Sequence, residues 1–331
     1  MNLKLWRGFA VGILSFALVP MGRSELTHLV MQMDLGVQNA QFAGLTLAYE
    51  RGWFAEAGIE LEIKRLPEGY GDLAAGVARS DHTVGTIESG LFLSGRAAGN
   101  PIVAIGTMFQ ASPLCLISKR EKGIAQPADL VGRHVAVHGD GHEALATILA
   151  QAAVDPATVT VSEAAYGNEP LLRDEMDAKQ GYYVDEFVKL QVEGHDVTAM
   201  PLKDFGHVAY SQVMFVSEAT LTQHREALIR FVKVLDRGWR AAQAEQSAAV
   251  DLIVGKLEPK LDRDYQARSL ALILDELVWA EDVRTGAMSK ETWTTNVGTF
   301  LRSHRKASLP PMPEWTDFGV VDTAWGQVAG E

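Results

Sequence analysis

An α/β fold with mainly parallel sheets is the architecture this sequence predicts, and three observations predict it. Strand and helix signals alternate from about residue 27 to residue 215, the pattern that parallel sheets require. From Glu218 onward the periodicity is helical. A chain of 331 residues can bury a large core and is expected to divide into two lobes.

The first unit reads as strand, helix, strand. An apolar strand at residues 35–37 is expected to enter the polar turn Gln38-Asn39-Ala40-Gln41-Phe42, with a helix over residues 43–51 after it. Gly52-Trp53-Phe54-Ala55-Glu56-Ala57-Gly58 and the alternating strand Ile59-Glu60-Leu61-Glu62-Ile63 complete the unit. Gly69-Tyr70-Gly71-Asp72 reads as a turn before a helix through Leu73 and Val77. Residues 84–88 form a strand, a helix runs through Leu91 and Leu93, and residues 101–106 are a buried strand between Pro and Gly.

The pattern then restarts. Pro113-Leu114-Cys115-Leu116-Ile117 is an apolar strand, residues 128–132 a short helix stopped by Gly132, and residues 133–137 a strand entering His138-Gly139-Asp140-Gly141-His142. A helix follows from Glu143 through Leu145, Ile148 and Leu149, then strands near 158–162, 181–183 and 208–216. Leu228, Phe231, Leu235 and Trp239 recur at spacings of three and four, as one buried helix face does. Leu270, Leu274 and Leu277 repeat the pattern, as do Trp293, Val297 and Phe300, before the proline-stiffened Leu309-Pro310-Pro311-Met312-Pro313.

The net charge of −12 argues against nucleic acid, because nothing would neutralise phosphates broadly, and against an anionic membrane surface. Residues 1–24 have the parts of a secretory signal: Lys4 and Arg7, an apolar run from Phe9 to Met21, then Gly22 and Ser24. A soluble periplasmic protein is the expectation. The single Cys115 allows no internal disulfide and no cysteine metal cage, and its strand setting reads as a packed thiol.

Ligands of open α/β sheets bind at loops that follow strands and at helix N-termini. Those loops place Asn39, Gln41, Phe42, Tyr70, Glu88, His138, Asp140, Tyr182, Tyr183 and Glu186 as candidate ligand-binding residues. The same loops hold six carboxylates, Glu68, Glu88, Asp140, Glu143, Asp185 and Glu186, and no Lys or Arg. Burying an anion without a cationic partner is costly, so a donor-rich neutral heterocycle or a cationic amine fits better.

The opening unit, with its polar loop and its Gly-Trp-Phe-x-x-x-Gly-Ile stretch, resembles the periplasmic solute-binding proteins that take up sulfonates, nitrate and thiamine pyrimidine precursors. The segment Asp177-Ala178 followed by Gly181-Tyr182-Tyr183-Val184-Asp185-Glu186 is similar to the pyrimidine-precursor branch. There an Asp-Ala leads to Gly-Tyr, an aromatic, often two asparagines, and a glutamate. Glu186 matches that glutamate and Asn39 an asparagine of the opening loop, while Val184 and Asp185 replace the asparagines and Phe42 replaces a histidine.

The resemblance covers roughly residues 30–240 and implies a type II two-lobed periplasmic binding protein, each lobe a mainly parallel sheet flanked by helices. It implies a signal peptide at 1–24, a first lobe at 25–115, a second lobe at 116–212, and a return to the first lobe with C-terminal helices packed on it at 213–331. A monomer is expected to close by hinge motion on a small molecule such as a thiamine pyrimidine precursor and to deliver it to an ABC permease. A carboxylate accepting two N–H bonds from an aminopyrimidine edge and a stacked tyrosine would serve that ligand.

The alternatives are an importer of aliphatic sulfonate, taurine or nitrate, a sensor subunit docking on a receptor, and an enzyme of pyrimidine precursor synthesis. Gly139-Asp140-Gly141-His142 puts carboxylates, with Glu143, where an oxyanion site would use donors; Asp140 there also reads as a helix cap. The corresponding synthase carries a cysteine-rich run, where this chain reads Ala209-Tyr210-Ser211-Gln212-Val213-Met214-Phe215. No nucleophile elbow, P-loop or dinucleotide fingerprint appears, and His134, His138 and His142 span a strand and a loop without metal-site spacing. No catalytic residue, metal or cofactor is expected.

Overall fold

The computed structural model describes residues 26–67, 71–139, 141–165, 167–279 and 284–326. The expected signal at residues 1–24, together with Tyr70 and Asp140, lies outside the described residues. The chain runs through β1 (Thr27–Gln32), α1 (Ala43–Glu50), α2 (Trp53–Glu56), β2 (Ile59–Lys64), α3 (Leu73–Ala78), β3 (Thr83–Ile87), α4 (Ser89–Ala97) and β4 (Ile102–Phe109). It then crosses to β5 (Leu114–Lys119), β6 (His134–Val137), α5 (Gly141–Gln151), β7 (Thr160–Glu163), α6 (Glu169–Leu172), β8 (Ala178–Tyr182), α7 (Glu186–Val192) and β9 (Val197–Pro201). β10 (Ser211–Ser217) leads into α8 (Glu218–Ala244), α9 (Gln246–Leu252), α10 (Arg263–Glu276), α11 (Lys290–Ser303) and α12 (Phe318–Ala324).

Two five-stranded sheets result, ordered β2-β1-β3-β10-β4 and β7-β6-β8-β5-β9. Each is parallel except for one strand, β10 in the first and β5 in the second. The reversed strand is in each case the one that has just crossed between sheets. It enters from the end at which the parallel strands finish, so it must run against them.

One expected strand is corrected. Residues 35–37 are a bend, and the first strand is Thr27–Gln32, whose last four residues are all buried. Burial of both faces removes the alternation that marks a half-exposed strand, and Val30 pairs with both Glu62 and Thr83 in the interior of the sheet. The strand over Val197–Pro201 and the helix Glu186–Val192 were not anticipated.

The C-terminal helices start on the caps their sequences supply. The side chains of Ser217, Asp262, Ser289 and Asp317 accept from the backbone N–H groups of Thr220, Tyr265, Thr292 and Val320 respectively. On α8, Leu228, Phe231, Leu235 and Trp239 are fully buried against the first lobe. At Gly238 a Cβ would collide with the Gly44 carbonyl oxygen, so α1 and α8 cross at a distance only glycine permits. Trp293 and Trp315 close a second cluster with Phe92, their ring centroids 5.2–6.0 Å apart. Trp53 is half-buried, with the Arg237 guanidinium 3.7 Å from its ring centroid.

The same helices also reach the second sheet. α10 packs on α7, α11 on α5, and Lys203 Nζ donates to Glu276 at 2.6 Å.

Candidate functional site

The parallel strands of both sheets end at one gap, and the loops leaving them meet across it. From the first lobe, Asp34 follows β1. Its carboxylate accepts from Thr86 Oγ1 of β3 at 3.1 Å and from Gln212 Nε2 of β10 at 3.5 Å. Burial outweighs these bonds and raises the Asp34 pKa to about 6. Gln212 adopts a φ of +53°, a conformation uncommon outside glycine, at the point where the chain returns to the first sheet.

From the second lobe, Asp185 enters the same gap just before α7. Asn39 Nδ2 donates to its Oδ2 at 3.2 Å, and Gln41 Nε2 donates to that oxygen at 3.0 Å. The Tyr265 hydroxyl, from α10, donates to Oδ1. Enclosure and the neighbouring Glu186 carboxylate raise the Asp185 pKa to about 6, and burial beside Asp185 pushes the Tyr265 hydroxyl up. Asn39 is set by its role as a cap, accepting from the Gln41 N–H at 3.1 Å. The next turn is pinned by Gln266 Oε1, which accepts from the Ala40 N–H at 2.8 Å.

A second bridge spans the gap. The Tyr182 hydroxyl, at the end of β8, donates to Glu88 Oε1 at 2.9 Å, and Ser211 Oγ of β10 donates to the same oxygen. On the flank of this bridge lies a cavity of about 370 Å³ between the N-terminal ends of α4 and α5, walled by α11. Its lining includes Glu88, His142, Glu143, Asn296 and His304 and no Lys or Arg. The loop on the α5 side is fixed by Gln180, whose Oε1 accepts from the His138 N–H at 2.8 Å. A Cβ at Gly141 would collide with that same oxygen, so glycine there lets Gln180 keep this position.

The sequence pattern of the family described as NMT1/THI5 like matches residues 39–249, more than half of the chain. The chain belongs to the NMT1/THI5-like family. It is 26% identical over 238 residues to the riboflavin-binding protein RibY of Chloroflexus aurantiacus, 70% of this chain and 67% of that one. It is 22% identical over 292 residues to the formylaminopyrimidine-binding protein of Halalkalibacterium halodurans, 86% of this chain and 88% of that one. A 4-amino-5-hydroxymethyl-2-methylpyrimidine phosphate synthase of Legionella pneumophila is 24% identical over 248 residues, 70% of this chain and 75% of that one. The fold is that of two-lobed periplasmic binding proteins. The aliphatic sulphonate binding protein SsuA from Escherichia coli aligns with a TM-score of 0.70 at 13% identity, covering 93% of this chain and 94% of that one.

This NMT1/THI5-like chain brings part of the expected residue set together. Asn39, Gln41, Glu88 and Tyr182 meet across the gap. Glu186 lies beside them, but its Oε2 accepts from the Tyr182 N–H at 2.8 Å and so ties α7 back to β8. His138 is half-buried at the cleft end of β6. Phe42 is fully buried in the main core cluster, and its ring packs there. Tyr183 is also in that core, with Lys203 Nζ 5.1 Å from its ring centroid, and burial drives its hydroxyl pKa well up. Tyr70 and Asp140 are outside the described residues.

Asp34, Ser211, Gln212, Tyr265 and Asn296, which the structure places around the gap or its flanking cavity, escaped the sequence reading. Asp34 was hidden by the strand assigned to residues 35–37, which moved the start of the loop past it. Tyr265 and Asn296 come from helices over 200 residues away from the opening loop, where no local pattern points to a cleft.

Proposed function

We propose that this chain is the substrate-binding component of an ABC import system, closing its lobes on a flat, N–H-rich heterocycle of the thiamine pyrimidine precursor class. The observation that carries this reading is Asp185. It is a carboxylate of the second lobe set among donors of the first lobe and of α10. A carboxylate accepts paired N–H groups well, and it repels sulfonate or nitrate. The lobes divide near residues 110–113 and 202–210, where the chain passes between sheets. Rotation about those segments opens the gap. The formylaminopyrimidine-binding relative, which aligns over most of both chains, supports the same ligand class.

The apolar run of residues 9–21 supports export, and among the described residues no helix is long and apolar enough to cross a membrane. The working unit in this reading is a monomer that delivers its ligand to a membrane permease. A binding role is also supported by Cys115, whose Sγ donates to the Gly181 carbonyl at 3.3 Å and whose pKa burial raises far up. Such a thiol is a poor nucleophile.

Isothermal calorimetry against a formylaminopyrimidine, 4-amino-5-hydroxymethyl-2-methylpyrimidine, riboflavin and taurine tests the proposal. Binding of the aminopyrimidines, weakened by Asp185→Asn, is the expected result. Tight binding of taurine with none of the aminopyrimidines would overturn it, and turnover of a pyrimidine would establish the enzyme reading suggested by the synthase relative.

A further inference from the structure

One stretch of the tail sets where the opening loop sits. α9 runs into a π-helical turn, Ile253–Leu257, closed by the Glu258 N–H, which donates to the Ile253 carbonyl at 2.7 Å. A π turn spaces its hydrogen bond one residue wider than an α turn, so it redirects the residue that follows, and such turns gather at functional sites. The residue that follows here is Glu258, at a half-buried position before the exposed Pro259 and Lys260.

The Glu258 carboxylate reaches back to the first lobe. Its Oε1 accepts from the Gln38 N–H at 2.9 Å, and an Arg65 Nη holds the same oxygen at 2.6 Å. Arg65 follows β2, and its other Nη donates to the Leu257 carbonyl, the end of the π turn, at 3.5 Å. The Glu258 side chain is only 15% exposed, so its bonds are partly shielded from water and count for more than those of an open surface pair.

The same stretch grips the loop and its helix at two further points. Gln266 Oε1 accepts from the Ala40 N–H at 2.8 Å, and Lys256 Nζ pairs with Glu50, the last residue of α1. Residues 256–266 therefore bracket the opening loop and α1 from both ends. Asn39 and Gln41, on that loop, donate to Asp185 Oδ2, and Tyr265, from the bracket itself, donates to Asp185 Oδ1. The three donors thus take their places from one piece of chain, whose holding residues lie 220 and 226 positions beyond the groups they hold.

We infer that Glu258 is a positioning residue: by fixing the Gln38 N–H it sets the loop from which Asn39 and Gln41 reach Asp185, and so governs how readily the lobes close. The inference rests on the binding-protein reading and adds to it a control of closure carried by a residue outside the donor set. Glu258, Tyr265 and Gln266 all lie beyond residues 39–249, the stretch that the family pattern matches.

The test compares the full chain with Glu258→Ala, which removes the acceptor, and Glu258→Gln, which keeps an acceptor oxygen without the charge. Hydrogen exchange of the unliganded protein over residues 38–42 should be at least tenfold faster in Glu258→Ala and within threefold of the parent in Glu258→Gln. Exchange over residues 228–239 of α8 should be unchanged in both. The radius of gyration from small-angle scattering should rise in Glu258→Ala. In an Asp185→Ala background the same change should add nothing, because the loop then has no carboxylate to reach. Unchanged exchange over 38–42, equal loss of protection in Glu258→Gln, loss that extends through α8, or an equal rise of radius in both backgrounds overturns the assignment.

Calorimetry with 4-amino-5-hydroxymethyl-2-methylpyrimidine separates this role from the ligand reading. If the parent chain fails to bind that pyrimidine, the ligand class falls, and exchange and scattering still decide on Glu258. If the parent binds it, affinity should drop at least tenfold in Glu258→Ala and less than threefold in Glu258→Gln. Equal affinity in all three overturns the positioning role and leaves the ligand class intact.

Discussion

The two flanks of the cleft are built from the same materials and are left in opposite states. On one flank the Asp185 carboxylate, from one lobe, accepts from Asn39 and Gln41 of the other lobe and from Tyr265 of α10. On the other flank Glu143 and Asn296 line a cavity, Glu143 3.7 Å from the His304 ring and Asn296 with its Oδ1 buried without a hydrogen-bond partner. The first arrangement joins the lobes through the protein's own hydrogen bonds. The second leaves an open cavity. A binding protein needs both, because closure must be close to balanced before the ligand tips it.

The largest expected effect tests whether the two flanks are held independently. Trp293→Ala removes the anchor of α11 from its contacts with Phe92, Tyr210 and Trp315 and should cost about 3–5 kcal/mol. Thermal melting should drop sharply, and hydrogen exchange should rise in α11 before α10.

Next comes pH. The Asp185 carboxyl titrates near 6 in the closed form and near 3.8 when solvated. A raised carboxyl pKa means that ionisation opposes closure: above about 6 the charge disfavours the closed form, and the closed form gains as pH falls through 6 toward 4. The gain is at most about 3 kcal/mol, from about two units at 1.36 kcal/mol each. Small-angle scattering of the unliganded protein should show a smaller radius at pH 5 than at pH 7.5. Asp185→Asn should remove most of that dependence.

Tyr265→Phe isolates α10's share of the answered flank. Losing a hydrogen bond to a charged acceptor should weaken closure by about 1.5–3 kcal/mol, read from the same scattering curve. Glu186→Gln should do least, about 0.5–1 kcal/mol, because an amide oxygen still accepts from the Tyr182 N–H. A larger loss of ligand affinity in Glu186→Gln than in Asp185→Asn would exchange the roles of the two acids.

The lobes were legible in the sequence because alternation of strand and helix survives in any single chain. The α8 stripe is a local signal and read correctly, whereas the caps Ser217, Asp262 and Ser289, equally local, were not named. The site was legible where its residues lie at strand ends, as Glu88 and Tyr182 do, and in the polar opening loop that holds Asn39. Glu186 drew attention through a motif, yet the neighbouring Asp185 is the acid that crosses the gap, since a one-residue step at the end of β8 turns the side chain to another partner. Phe42 and Tyr183 sit in the right loops but face inward, which depends on tertiary packing and has no trace in spacing. Tyr265 and Asn296 reach the cleft through the path of the tail, and that path was inferred only as far as the first lobe.

That tail does more than cover a sheet. A jaw joined at one edge by two chain crossings, and braced on each flank by α10 and α11, does not swing freely: opening must break Tyr265 from Asp185 and draw Glu143 away from His304. Contacts that opening must break therefore lie in the last quarter of the polypeptide. Two proteins with identical cleft loops and different tails would hold the same cargo for different lengths of time.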